Sequence, residues 1–89
     1  MEILRIMLKG RKHEERILDD NNVIGSNIKR LRTSQNIGQT DLVRLVQLEG
    51  VDLIREALVK IEGGRQNINL VQLKAIKKIL NASWEDLLD

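Results

Sequence analysis

The sequence predicts an all-α fold, a compact bundle of five short helices joined by tight turns. Apolar residues recur at three- and four-residue spacing through most of the chain, as they do on the buried side of a helix. Serine, asparagine and glycine, which start or stop helices, interrupt this pattern at intervals. Beyond the first eight residues no segment alternates apolar and polar side chains as a half-buried strand does, so nothing indicates a sheet.

Two apolar stripes predict the first two helices. The first helix runs from about residue 23 to 35, with one apolar side formed by Ile24, Ile28 and Leu31. Asn36 follows it, and asparagine is the usual substitute for glycine at a left-handed helix end. The acidic and amide residues 19–22 break the chain just before this helix and are suited to cap it. The second helix spans residues 39–48, with three inward positions: Leu42, Val43 and Val46.

The third predicted helix is short and ends abruptly. It begins at Leu53 or Arg55 and ends at Glu62, with two inward residues, Leu58 and Ile61. Two consecutive glycines, residues 63–64, stop it, because glycine readily adopts the left-handed conformation that closes a helix. Asp52 is the candidate cap at its start.

The last two helices have clear start signals. Asn69 is a good N-cap for the fourth helix, whose apolar stripe consists of Leu70, Leu73, Ile76 and Leu80. Asn81 is suited to end it. Ser83 and Asp86 form a pattern similar to a capping box, which predicts a short fifth helix.

Composition excludes several classes of function. The 89 residues allow one compact domain and an arm. No cysteine and one histidine, His13, rule out disulfides, thiolate metal sites and an imidazole metal cage. Trp84 is the only aromatic residue, which argues against a stacking platform for single-stranded nucleic acid. We expect Trp84 to fill the core, against Leu73, Leu80 and Leu87.

Charge and hydropathy favour a cytoplasmic protein, and the lack of catalytic motifs favours one that is not an enzyme. The net charge of +2 is compatible with nucleic-acid binding, and the positive excess lies in residues 21–65. No apolar run is long enough to cross a bilayer, and the start of the chain is too charged for a signal peptide. No nucleophile has a histidine base beside it, and the glycine pair lacks the lysine of a phosphate-binding loop. We expect neither an enzyme nor a cofactor.

Four stretches in order resemble one family of DNA-binding domains. They are residues 24–32 (IGSNIKRLR), 39–42 (QTDL), 61–65 (IEGGR) and 76–88 (IKKILNASWEDLL). Residues 24–88 thereby resemble the XRE family, the Cro and lambda-repressor type of helix-turn-helix domain. The resemblance implies a five-helix lambda-repressor-like domain over residues 22–89, preceded by an N-terminal extension over residues 1–21.

The sequence departs from the family pattern between the second and third helices. The turn around residues 47–52 is longer than in most members, which would alter the angle at which the third helix is presented. Ile54 also occupies the position where the family usually has a serine or threonine N-cap.

The resemblance implies roles for individual residues. The third helix would read bases in the major groove through Arg55, Glu56, Val59 and Lys60. Phosphate contacts would come from Gln39, Thr40, Arg65 and Gln66. Arg32 and Glu62 would form an internal ion pair that joins the first helix to the end of the third. Without the resemblance, the polar side of the third helix is more typical of a solvated helix surface than of a base-reading one.

Two hypotheses for function follow. The first is a sequence-specific double-stranded-DNA-binding transcriptional regulator, a repressor, acting as a homodimer on a roughly palindromic operator. Its candidate dimer contacts are Val71, Ile79, Leu87 and Leu88. The second is an antitoxin or adaptor that uses the same fold mainly to bind a protein partner such as a toxin. For residues 1–21 three alternatives stay open: an oligomerisation arm, an extra helix packed on the bundle, or a disordered extension.

Overall fold

The structure, a computed structural model, describes residues 17–19 and 21–89, and this part of the chain contains five helices and no strand. The helices are α1 (Val23–Ser34), α2 (Gln39–Leu48), α3 (Arg55–Glu62), α4 (Leu70–Leu80) and α5 (Trp84–Leu88). The all-α prediction is therefore confirmed for the described residues. His13 and most of the predicted N-terminal extension lie outside the described residues.

Helix α1 is the central element of the bundle. It packs against α3, α4 and α5, while α2 packs against α3 and α4. Among the described residues, the hydrophobic part of the core between the helices is aliphatic. Its largest fully buried side chains are Ile28, Leu42, Val46, Leu53, Leu58, Ile61, Ile68, Leu73, Ile76, Leu80 and Leu87. The predicted inward residues Leu31 and Leu70 are only half-buried.

The residues that start and stop helices act as predicted at most ends. The Asp19 carboxylate accepts hydrogen bonds from the backbone N–H groups of Val23 and Ile24, at 2.7 and 2.8 Å, and so caps α1. Asn36 and Asn81 follow α1 and α4 with φ angles of 60° and 54°, in the left-handed region.

Capping boxes begin α4 and α5. Asn69 accepts a hydrogen bond from the backbone N–H of Gln72, and the Gln72 side chain accepts one from the backbone N–H of Asn69. Ser83 and Asp86 make the same reciprocal pair at α5. The hydrogen bond from the Ser83 backbone lowers the pKa of Asp86, and the hydrogen bond with the Ser83 hydroxyl contributes to a smaller extent.

The prediction that Trp84 fills the core is wrong. Trp84 is 39% exposed, and its ring lies beside Lys77, whose Nζ is 5.1 Å from the ring centroid. Trp84 is the first residue of α5, and the inward position of that short helix is taken by Leu87, which is fully buried. Burial also removes Leu87 from the candidate dimer contacts, and Ile79 is half-buried against the core.

Two glutamine side chains, Gln47 and Gln72, hold the long turn between α2 and α3 through contacts that the sequence does not predict. The Leu53 side chain is buried, and its carbonyl accepts a hydrogen bond of 2.8 Å from Gln47 Nε2. The prediction that Asp52 caps α3 is wrong, because Ile54 is the N-cap and no side chain caps this end. The Asp52 carbonyl instead accepts a hydrogen bond of 2.9 Å from Gln72 Nε2.

Candidate nucleic-acid interface

Helix α3 is buried on one side and open on the other. Leu58 and Ile61 lie in the core. The opposite side carries the four residues predicted to read bases, which we call the α3 face: Arg55, Glu56, Val59 and Lys60. Arg55, Glu56 and Lys60 are exposed, and Val59 is half-buried. Three of the four side chains are thus free to contact a ligand together.

Both ends of α3 are fixed by the adjoining chain. The buried Leu53 side chain anchors the segment that leads into the helix. At the other end Gly64 adopts a left-handed φ of 79°, and the backbone N–H of Arg65 donates to the Lys60 carbonyl at 2.8 Å. This closure places the exposed Arg65 directly beyond the helix.

A buried ion pair joins α1 to the end of α3, as the resemblance implied. Arg32 Nε and Nη2 donate to the two Glu62 carboxylate oxygens, each at 2.8 Å, and the two side chains are 8% and 3% exposed. Arg32 Nη1 also donates to the Ile37 carbonyl at 2.9 Å. The hydrogen bond with Glu62 raises the pKa of Arg32 although burial opposes the charged form.

Gln39 extends this pair to the surface. Its Nε2 donates to Glu62 Oε1 at 3.0 Å, and its Oε1 accepts from Arg55 Nη2 at 3.5 Å. A chain of contacts therefore runs from buried Arg32 through Glu62 and Gln39 to exposed Arg55. No local sequence pattern indicates a contact between residues 39 and 62, because it depends on how α2 packs against α3.

Of the four residues predicted to contact phosphate, two are exposed and two are half-buried. Thr40 and Arg65 are exposed, whereas Gln39 and Gln66 are half-buried. The Gln39 side-chain amide contacts Glu62 and Arg55. The backbone N–H at the start of α2 is therefore the group of this residue that remains free to contact a phosphate. Gly38 caps α2 without a side chain, so the first N–H groups of that helix have no side-chain acceptor.

The electrostatic character of the α3 region is positive. Arg55, Lys60 and Arg65 are exposed and make no salt bridge within the described part of the chain. Glu56 is the one carboxylate on the α3 face. This surface therefore offers three cationic hydrogen-bond donors and one anionic acceptor. It suits a polyanionic ligand that carries hydrogen-bond donors and acceptors of its own.

No group of three His, Cys, Asp or Glu residues that could hold a metal ion is present in the described residues. None of the helices there has the length and apolar content to cross a membrane. Comparisons with known protein families, with curated proteins and with solved structures found no match.

Proposed function

We propose that the protein is a sequence-specific double-stranded-DNA-binding transcriptional regulator, a repressor, with an XRE-type helix-turn-helix formed by α2 and α3. The observation that carries this proposal is the α3 face itself, exposed on a helix whose other side is anchored in the core. An α-helix with its side chains is about 10–12 Å wide, which matches the major groove of B-form DNA.

The residues of the α3 face have the chemistry needed to discriminate base pairs. Arg55 and Lys60 can donate to guanine O6 and N7, and Glu56 can accept from the cytosine amino group. A weak contact of 3.5 Å with Gln39 Oε1 favours one position of the exposed Arg55 guanidinium before DNA binds. Such preorganisation lowers the conformational entropy lost on binding. Arg55 is therefore the residue expected to contribute most to specificity.

Phosphate contacts would come from the two ends of the same surface. Arg65 and Gln66 follow α3, while Thr40 and the free backbone N–H of Gln39 lie at the start of α2. The N-terminus of a helix favours an anion because of its exposed N–H groups and its dipole. Gln39 thus acts through its backbone on phosphate and through its side chain on Arg55.

A homodimer suits the modest charge of the chain. A net charge of +2 supports few phosphate contacts per subunit, so a second subunit raises affinity by binding an adjacent half-site. The two copies of α3 would enter successive major grooves about 34–36 Å apart on a roughly palindromic operator. Val71 and Leu88, which are 58% and 46% exposed, remain as candidate dimer contacts.

A second candidate function is protein binding, as in an antitoxin or adaptor. The observation in its favour is a set of exposed apolar side chains that are not part of the α3 face, including Leu45 and Leu48 on α2. A protein partner such as a toxin would remain bound at high salt, whereas DNA would dissociate. Purification at high salt followed by mass spectrometry distinguishes the two functions.

Selection of bound sequences from a pool of random duplex DNA tests the proposed function. We expect an enriched inverted repeat, bound with an affinity that falls as salt rises because counterions are released from the phosphates. An affinity that depends steeply on salt but enriches no sequence would contradict specific recognition.

Arg55→Ala is expected to weaken binding to the selected duplex by about 1–3 kcal/mol and to relax the preference at one base pair, because a base contact is lost. The thermal stability should not change, since the side chain is exposed. Arg44→Ala is the matched control: Arg44 is an exposed α2 arginine whose nearest carboxylate, Asp41, is 3.8 Å away. Equal losses of affinity and specificity in both variants would contradict a base contact by Arg55.

A further inference from the structure

Ile54 occupies a position at which helix stability alone favours a different side chain. It is the N-cap of α3, a position at which serine, threonine, aspartate and asparagine stabilise a helix and isoleucine does not. No side chain caps α3, and the Ile54 side chain is 55% exposed. The chain thus presents an aliphatic group at the start of the α3 face, directly before Arg55.

The backbone around Ile54 is held firmly in place. The carbonyls of Asp52 and Leu53 accept hydrogen bonds from Gln72 and Gln47, at 2.9 and 2.8 Å. The Ile54 carbonyl accepts the first hydrogen bond of α3, from the N–H of Leu58 at 3.1 Å. An isoleucine side chain also has few rotamers, because it is branched at Cβ. Ile54 is therefore an ordered apolar group that loses little conformational freedom on making a contact.

We propose that Ile54 contacts the 5-methyl group of a thymine, at a base pair next to the one bound by Arg55. This inference rests on the proposed function, since it requires α3 to lie in the major groove. Thymine carries the only methyl group that an unmodified base presents there. An aliphatic side chain cannot read donors or acceptors, so the methyl group is the feature it can distinguish.

Replacement of thymine by uracil removes only this methyl group and so tests the contact. In the selected duplex each thymidine is replaced in turn by deoxyuridine, and affinity is measured at fixed salt. For the unsubstituted protein we expect about a fourfold loss at one position in each half-site, the value for one buried methyl group. Ile54→Ser should bind the thymine and uracil duplexes equally, while its new hydroxyl can cap α3 and preserve the fold.

Two further variants serve as controls. Ile54→Val, which keeps a branched aliphatic side chain, should retain most of the preference for thymine. Leu48→Ser changes an apolar side chain that is 76% exposed on α2, and it should leave the preference unchanged.

Three outcomes would overturn the inference. One is that no uracil substitution weakens binding of the unsubstituted protein, and another is that Ile54→Ser shows the same thymine preference. A third is that Ile54→Ser alters the oligomeric state without DNA, which would assign Ile54 to a contact between copies of the chain. In each case an enriched operator would still support the proposed function. If selection enriches no sequence, the proposed function fails and the inference fails with it.

Discussion

Arg32→Ala is expected to lower the free energy of unfolding by about 3–5 kcal/mol, because it leaves the Glu62 carboxylate buried without its cation. Both carboxylate oxygens of Glu62 lie 2.8 Å from Arg32 nitrogens, and Gln39 supplies the only other side-chain donor described. The lost bond to the Ile37 carbonyl adds to the effect by loosening the turn between α1 and α2. Chemical denaturation of the variant beside the unsubstituted protein measures the change.

The same variant should also lose affinity for the selected duplex. Glu62 positions Gln39, and Gln39 contacts Arg55. Removal of Arg32 therefore changes the position of Glu62 and, through Gln39, that of the Arg55 side chain on the α3 face. Arg55→Ala, in contrast, should lower affinity alone. Comparison of the two variants by thermal melt and binding titration separates the structural contribution from direct recognition.

Two controls define the role of the ion pair. Arg30→Ala removes an exposed arginine from the same helix and should change stability by less than about 1 kcal/mol. The double substitution Arg32→Met with Glu62→Leu should be more stable than Arg32→Ala, because no uncompensated charge remains buried. An unchanged melting temperature for Arg32→Ala would contradict the structural role of the pair.

Gly25→Ala is expected to destabilise the protein by about 3 kcal/mol, the upper end of the usual range for an overpacked core. Alanine is the better helix former by about 1 kcal/mol, so propensity alone predicts the opposite sign. A Cβ atom at position 25 would, however, overlap the Ile61 carbonyl oxygen at the end of α3 and the Asn22 side-chain oxygen. Helix α1 would have to move away from α3, which a denaturation midpoint would report.

Gly38→Ala is the matched control for this substitution. Gly38 has an ordinary φ of −75°, and the nearest atom to a Cβ there is Asp41 Oδ2 at 3.4 Å. Its cost should stay below about 1 kcal/mol, since only a weak N-cap preference is lost. If the two alanine variants proved equally stable, the close approach of α1 and α3 would be refuted.

The parts of the fold that local chemistry determines could be predicted from the sequence. Asn69 and Ser83 begin helices because their side chains accept backbone hydrogen bonds three residues ahead. Asn36 and Asn81 end helices because asparagine tolerates the left-handed conformation. Helical spacing of apolar residues located the first four helices and most of the core, and the capping pattern located the fifth.

The features that depend on packing could not be predicted in this way. The expectation that Trp84 fills the core fails, because Leu87 occupies the buried position of α5 and the Trp84 ring lies beside Lys77 at the surface. Asp52 is near enough in sequence to cap α3, but Ile54 occupies the N-cap position. Gln39 acquires its partners only when α2 meets α3. At the candidate site, residue type and exposure were therefore predictable, whereas the contacts that orient the side chains were not.

Mapping of the DNA-binding surface by NMR tests the central claim most directly. The isotope-labelled protein would be titrated with the duplex obtained by selection, and chemical-shift changes recorded for backbone and side chains. We predict the largest changes at Arg55, Glu56 and Lys60, with smaller ones at the start of α2 and at Arg65. Changes centred on Leu45, Leu48 and Val71, with the α3 face unaffected, would contradict the claim that α3 enters the major groove.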